Sequence, residues 1–311
     1  MPAANRHEEP GSVRRHGARI GVGGVLLLLA GCTPWVQQFT PIGGQPPAPP
    51  PAPIDFAHAA ELLATLADLT DNLGVLDAAL RAKYGREGAD AIVISTTFDG
   101  DSAPSRYMLI IDHARRHQTI VLAGTNTRYQ WLLDFDTRPY AETDFGAPVH
   151  RGFNTAALIV LTDCLQRLEP DYPVTLTGYS LGGAIACLLG RYLQLAGFDV
   201  HEIITFGQPQ VTTAAGRPAF AGLPVLHFAN ADDPIPFFPG GAYVHFAPFV
   251  VLFNGPYYAY VAPDDPDYDR ATTHPQGPLA PSLQALDHLS FRYTETLRAK
   301  VDYAVQTNYR R

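Results

Sequence analysis

The spacing of apolar and polar positions changes period several times along the chain, and each change marks an element. Ala59, Leu62, Leu63, Leu66, Leu69, Leu73, Leu76 and Leu80 recur at helical spacing, which predicts one or two amphipathic helices over 56–84. Short β-rich runs follow at 91–96, 107–112 and 119–123, the mark of strands that begin a sheet. Beyond them the pattern alternates: helix over 153–168, strand over 174–177, helix over 181–196, then strands over 202–206 and 225–229. Such alternation calls for crossover connections, and so for a mostly parallel central sheet with helices on both faces. Residues 249–253 and 257–261, joined through Asn254-Gly255, predict a late hairpin. No internal repeat is present.

One apolar run fits neither period. Residues 20–29 follow the basic group Arg14-Arg15-His16 and end in Leu29-Ala30-Gly31-Cys32. A stretch of about ten to twelve apolar residues is too short to span a bilayer and suits the core of a secretory signal. Its last four residues resemble the bacterial lipobox, in which the cysteine sulfur is acylated and becomes the new N-terminus. Behind Cys32, residues 45–53 hold six prolines and no charge, which favours extended polyproline II and reads as a semi-rigid tether.

Composition narrows the function. Hydrophobic residues at 46% and charged residues at 17% exclude a disordered chain of 311 residues. A net charge of −8 argues against nucleic acid as a partner, because phosphates call for a basic surface. Residues 1–31 carry four arginines and two glutamates, so their removal takes the net charge to −10. Anionic headgroups repel such a body, and attachment to a membrane must come from the lipid on Cys32. Three cysteines cannot build a disulfide framework, and no pair has the spacing of a zinc knuckle. Cys164 and Cys187 fall on the two helices flanking the 174–177 strand, where they could pair or remain buried thiols.

Chemistry concentrates where that strand meets its helix, at Gly178-Tyr179-Ser180-Leu181-Gly182. A Gly-x-Ser-x-Gly elbow sets its serine on a tight strand-to-helix turn, where only small neighbours let the backbones approach. The following helix N-terminus aims unpaired N–H groups at the reacting oxygen. A serine hydroxyl needs a base to take its proton and an acid to orient that base, here in the order Ser, Asp, His. Asp232 and Asp233 both follow the strand over 225–229; Asp233 is favoured because Pro234-Ile235-Pro236 directly behind it restrict the turn. His245, His274 and His288 lie beyond. His245 falls in a β-like run and His274 in a Pro- and Gly-rich loop, whereas His288 stands just before a final helix pattern, on the loop after the last strand, and is the expected general base. Asp265, Asp267 and Asp269 alternate as calcium ligands can, but lack the glycine and distal glutamate of an EF-hand and read as a solvated loop.

These residues resemble the fungal-type class 3 lipases of the α/β-hydrolase fold, over about 119–293. The resemblance rests on Val121-Leu122-Ala123-Gly124-Thr125, Val149-His150-Arg151-Gly152-Phe153, the elbow at 178–183, Thr205-Phe206-Gly207-Gln208-Pro209, Asn230 to Pro236, Tyr243-Val244-His245 and Asp287-His288-Leu289-Ser290-Phe291. It implies a serine hydrolase acting on carboxylic esters of lipids, with Ser180, Asp233 and His288 catalytic. It adds an oxyanion hole from the N–H groups of Leu181 and Thr125, together with the Thr125 hydroxyl. Ala123 departs from the family, where arginine is usual before the Gly-Thr pair. Residues 126–135, with Trp131, match the family's lid in position; Trp131 packed as a core residue is an equal alternative. No cofactor and no metal are implied, and lipid or other esters are the expected partners. The alternatives are a short-chain carboxylesterase, an acyltransferase, or a catalytically idle envelope lipoprotein. The expected organisation is a signal over 1–31, lipidated Cys32 with its tether over 32–53, and an α/β-hydrolase catalytic domain over 54–311. Thr33 lacks the acidity that holds a lipoprotein at the inner membrane, so the expected location is the cell envelope, anchored at the outer membrane.

Overall fold

A computed structural model describes residues 50, 53–71, 77–86, 88–96, 105–124, 139–141, 145–273 and 287–309. Cys32, Thr125, residues 126–135 and His274 lie outside the described residues. The chain begins with helices α1 (Phe56–Asp71) and α2 (Asp77–Tyr84). Strands β1 (Ala89–Thr96), β2 (Ser105–Asp112) and β3 (His117–Leu122) follow, and then β4 (Pro139–Ala141) and β5 (Pro148–His150). Helix α3 (Arg151–Cys164), β6 (Val174–Tyr179), α4 (Leu181–Leu195) and β7 (Val200–Phe206) form the crossover core. Next come β8 (Thr212–Thr213), β9 (Val225–Asn230), β10 (Tyr243–Val244), β11 (Phe249–Leu252) and β12 (Tyr257–Val261). Two helices, α5 (Tyr268–Thr273) and α6 (Ser290–Val301), and strand β13 (Val305–Gln306) complete the described chain.

Among the described residues nine strands form one sheet in the order β1-β2-β3-β6-β7-β9-β11-β12-β13. Its centre, β3 through β11, is parallel. The predicted mostly parallel sheet is therefore present, with one qualification: β1, β2 and β3 pair antiparallel. Only four residues separate β2 from β3, and a crossover needs a dozen or more, so a hairpin is the one connection available. The late hairpin of β11 and β12 forms as expected. A second sheet, in the order β10-β8-β5-β4, was not foreseen, because strands of two or three residues leave no readable period. Two boundaries also change. Helix α3 stops at Cys164 rather than 168, the chain running on to 168 in turns whose Arg167 and Leu168 N–H groups share the Cys164 carbonyl, and β13 follows the helix behind His288, so that loop is not the one after the last strand.

Both faces of the sheet are covered. Leu109, Ile120, Leu176 and Ile203 pack under α3 and α4, with Phe153, Val160, Ile185 and Leu189 from the helices. Met108, Val121, Phe206 and Phe228 face the other way, onto Leu63 and Leu66 of α1 and Tyr293 and Leu297 of α6. Burial on two sides explains why β6, in the middle, is buried at every position. Cys164 and Cys187, on α3 and α4, are both free thiols inside this packing.

Candidate active site

The parallel strands end level with one another: Leu122 pairs with Gly178, Tyr179 with Phe206, and Phe206 with Phe228. Whatever follows β6, β7 and β9 is thereby gathered at one edge, the usual position for a site on such a sheet. Ser180 follows β6. Its φ of 55° and ψ of −124° lie where L residues are rare, a strain of about 1–3 kcal/mol that the surroundings must hold. The glycines make this possible. A Cβ on Gly178 would sit 2.2 Å from the Gly182 carbonyl oxygen, and one on Gly182 would sit 2.1 Å from that of Leu122. The Ser180 N–H is fixed by the Phe206 carbonyl at 2.9 Å, and Leu181 opens α4, where first-turn N–H groups have no acceptor within the helix. Gly124 backs onto the serine, since a Cβ there would lie 3.3 Å from that of Ser180.

His288 meets the serine from across the site. Its Nε2 lies 2.8 Å from Ser180 Oγ, and its Nδ1 lies 2.8 Å from Asp233 Oδ2. The acceptor-only carboxylate fixes the tautomer: Nδ1–H donates to Asp233, and Nε2 is left to accept the serine proton. The imidazole is stacked on Tyr179 at 5.0 Å, and the Tyr179 hydroxyl donates to the His288 carbonyl. Ser180 and His288 are each 5% exposed and Asp233 is fully buried, so the chain of bonds runs from a nearly closed mouth into the interior.

Asp233 is held more firmly than its neighbouring prolines alone would hold it. Oδ1 accepts the Ile235 N–H at 2.9 Å, and Oδ2 accepts the Tyr293 hydroxyl at 2.5 Å in addition to the imidazole. Burial, the Asp233 charge and the bond to it push the Tyr293 phenol well above its ordinary range, so it remains a donor. Asp232, one residue earlier, is exposed. His245 is buried away from the serine; its ring donates from Nε2 to the Pro236 carbonyl at 2.7 Å, and burial lowers it to about 4. His150 likewise has a local task, capping α3 by accepting the Phe153 N–H at 3.3 Å.

The sequence reading gave two residues beside the triad no role in the site. Gly207, with φ +59°, passes so close that a Cβ would meet His288 Cε1 at 2.9 Å and Asp233 Oδ2 at 3.0 Å. Its signals were a glycine directly behind a strand and its place in the Thr205-Phe206-Gly207-Gln208-Pro209 motif. Tyr293 lies five residues past His288 in a helix pattern, and nothing local marks it. Asp269 of the alternating aspartates pairs with Arg217, and Asp265 Oδ1 accepts the Asp267 N–H. Among the described residues no group of three or more His, Cys, Asp or Glu side chains is arranged to hold a metal ion.

The family model described as Lipase (class 3) matches residues 119–242. The lipase of Rhizomucor miehei is 30% identical over 197 residues, covering 55% of this chain and 51% of the relative. The secreted mono- and diacylglycerol lipase 1 of Fusarium solani is 27% identical over 185 residues, covering 55% and 54%. The chain thus spans about half the length of these two relatives. Among solved structures, Rhizomucor miehei triacylglyceride lipase superposes with a TM-score of 0.60 at 21% identity, covering 80% of this chain and 98% of that one. Lipase II from Rhizopus niveus gives 0.56 at 21%, covering 75% and 93%. At that identity the likeness establishes the α/β-hydrolase fold. Residues 119–242, which carry the elbow and the acid turn, are thus similar to class 3 lipases.

Proposed function

We propose that this chain is a serine hydrolase that cleaves carboxylic ester bonds of lipids through an acyl-enzyme on Ser180. The observation that carries the reading is the contact of 2.8 Å between Ser180 Oγ and His288 Nε2, at a serine held in a strained elbow. As Oγ attacks the carbonyl carbon, its proton passes to His288 Nε2, and Asp233 stabilises the imidazolium through Nδ1–H. The carbonyl oxygen becomes an oxyanion, received by the N–H groups of Leu181 and Thr125; losing one such donor typically costs about 10² to 10³ in rate. Collapse expels the alcohol, which takes the proton from His288. Water then attacks the acyl-enzyme with His288 as base and frees the acid.

Lipid esters are supported as substrates by the relatives, which include a lipase and a secreted mono- and diacylglycerol lipase. The test is hydrolysis of esters of increasing chain length, below and above their solubility limit. Turnover that rises once substrate forms an interface is the expected result; a steady decline with chain length would assign a short-chain carboxylesterase, and acyl transfer to added alcohols in place of hydrolysis would assign an acyltransferase. An inert protein would be the idle envelope lipoprotein.

The attachment of the enzyme is part of the same proposal. Residues 1–31 serve as a lipoprotein signal, Cys32 carries the lipid, residues to 53 form the tether, and the catalytic domain from 54 works at the cell envelope, on the outer membrane. The lipobox-like Leu29-Ala30-Gly31-Cys32 and the six prolines behind it support this reading. Among the described residues no helix is long and apolar enough to cross a membrane. Cys32→Ser should abolish palmitate incorporation and release the protein from membranes; unchanged association would reject the anchor.

A further inference from the structure

His288 sits at 287–289, between α6 and residues outside the described set, and its ring bonds alone cannot fix its backbone. Two neighbouring carbonyls do so. The His288 carbonyl accepts the Tyr179 hydroxyl, and the Asp287 carbonyl accepts Nδ2–H of Asn230 at 2.9 Å. Asn230 is the last residue of β9, three before the acid. Its own carbonyl accepts the Asp233 N–H at 3.1 Å, and its N–H donates to the Tyr293 hydroxyl at 3.1 Å, the same hydroxyl that donates to Asp233. The amide orientation follows from chemistry. Asp287 offers only a carbonyl, so it must face Nδ2, which leaves Oδ1 to accept the Thr296 hydroxyl at 2.7 Å. Asn230, Tyr293 and Thr296 are all buried, which shields the bonds among them from water, and the bond to the Asp287 carbonyl is part-buried.

Resting on the assignment of Ser180, Asp233 and His288, we propose that Asn230, with its amide held by Thr296, is a positioning residue that sets the imidazole of His288 in register with the carboxylate of Asp233. One side chain and its own backbone bond both halves of the acid–base pair, which come from strands and loops 55 residues apart. The strand end supplies the rigid reference. The amide transfers its position to the loop that carries the base. A carboxylate in place of the amide keeps the acceptor for Thr296 but turns an oxygen against the Asp287 carbonyl, and pushes the base loop away.

The experiment compares Asn230→Asp, Thr296→Val and Thr296→Ser in the full chain, with two readouts. On an ester substrate, Asn230→Asp lowers kcat about 10- to 100-fold, because misplacing a reacting group by about 1 Å costs that much, while KM stays within about twofold. Thr296→Val moves kcat in the same direction and Thr296→Ser, which keeps the hydroxyl, returns it towards wild type. The second readout is the far-downfield proton signal of an imidazole N–H bonded to a carboxylate, which needs no turnover. It is present in wild type, shifted or broadened in Asn230→Asp and Thr296→Val, and restored in Thr296→Ser. Should Asn230→Asp fail to fold, the Thr296 pair decides alone. A downfield signal and kcat unchanged in Thr296→Val, or Thr296→Ser as impaired as Thr296→Val, would overturn the proposal. If wild type hydrolyses no ester, the proposed function fails while the proton signal still decides the role of Asn230.

Discussion

The two ends of the central sheet make opposite use of similar side chains. At the end where the parallel strands begin, a cavity of about 680 Å³ opens between α1, α2 and the sheet, lined by His58, His117, His201, Asp112 and Glu202 among others. Its chemistry is mutual neutralisation. His58 Nε2 lies 2.7 Å from Glu202, Arg86 and Arg115 both reach Asp112, and Lys83 is paired with Asp68. Burial pushes the Glu202 carboxyl up, but the His58 bond and charge outweigh it and leave the carboxyl below its usual range. At the other end Ser180, His288 and Asp233 are nearly closed from solvent, and each donor points one way along a line from the serine oxygen toward the carboxylate. Open volume and titratable groups mark the first end. A strained nucleophile in line with a base and its acid marks the second, and reactivity follows that alignment.

The comparison breaks most sharply at the serine. Ser180→Ala should lower kcat on the order of 10⁶-fold without changing the melting curve by more than a few degrees, since only a hydroxyl is lost. Gly207→Ala comes next. Its Cβ needs space taken by the imidazole and the carboxylate, at a φ of +59°, so steady-state kinetics should show kcat down about 10²-fold with little change in KM. Tyr293→Phe removes one donor from Asp233 and leaves the Asn230 N–H without its acceptor, which should cost about 1–3 kcal/mol in denaturant unfolding together with a loss of activity.

The smallest effect belongs to the other end. The hydrogen bond to Glu202, with the nearby carboxylate charges, raises His58 above its ordinary value against the pull of burial. A raised imidazole stabilises the fold fully below its unfolded pKa of about 6.5, and that contribution fades as pH rises through the folded value. The side chain is 38% exposed, so solvent screening holds the gain to at most about 1 kcal/mol. His58→Ala should therefore lower Tm relative to wild type at pH 5.5, by less at pH 8.5, with ester hydrolysis at either pH within about twofold. A large loss of activity would mean that the two ends are not independent.

The parts of the site that were legible in sequence are those fixed by local backbone needs. Gly178 is required by a contact four residues away, since its Cβ would meet the Gly182 carbonyl at 2.2 Å, whereas Gly182, required by the distant Leu122 carbonyl, was legible only through the elbow motif. Asp233 and His288 were legible through order along the chain and their place beside recognisable elements. The roles of Tyr293, Gly207 and Asn230 were not, although the last two fall in motifs of the family resemblance, because each acts across a distance set by the register of β7, β9 and α6. Tyr293 reaches a carboxylate 60 residues earlier, and no spacing in a single sequence encodes that encounter. The antiparallel start of the sheet was hidden differently. Residues 107–111 are apolar on both faces, Tyr107, Leu109 and Ile111 to one side and Met108 to the other, so composition resembled a parallel core strand. Only the length of the turn to β3 gave its direction.

The central claim, that His288 and Asp233 activate Ser180, is tested most directly by reacting the intact protein with a fluorophosphonate and mapping the adduct by mass spectrometry. The account predicts a single phosphonylated residue, Ser180, with labelling lost in Ser180→Ala and slowed by orders of magnitude in His288→Ala. An adduct elsewhere, or labelling of Ser180 at the wild-type rate without His288, would contradict it.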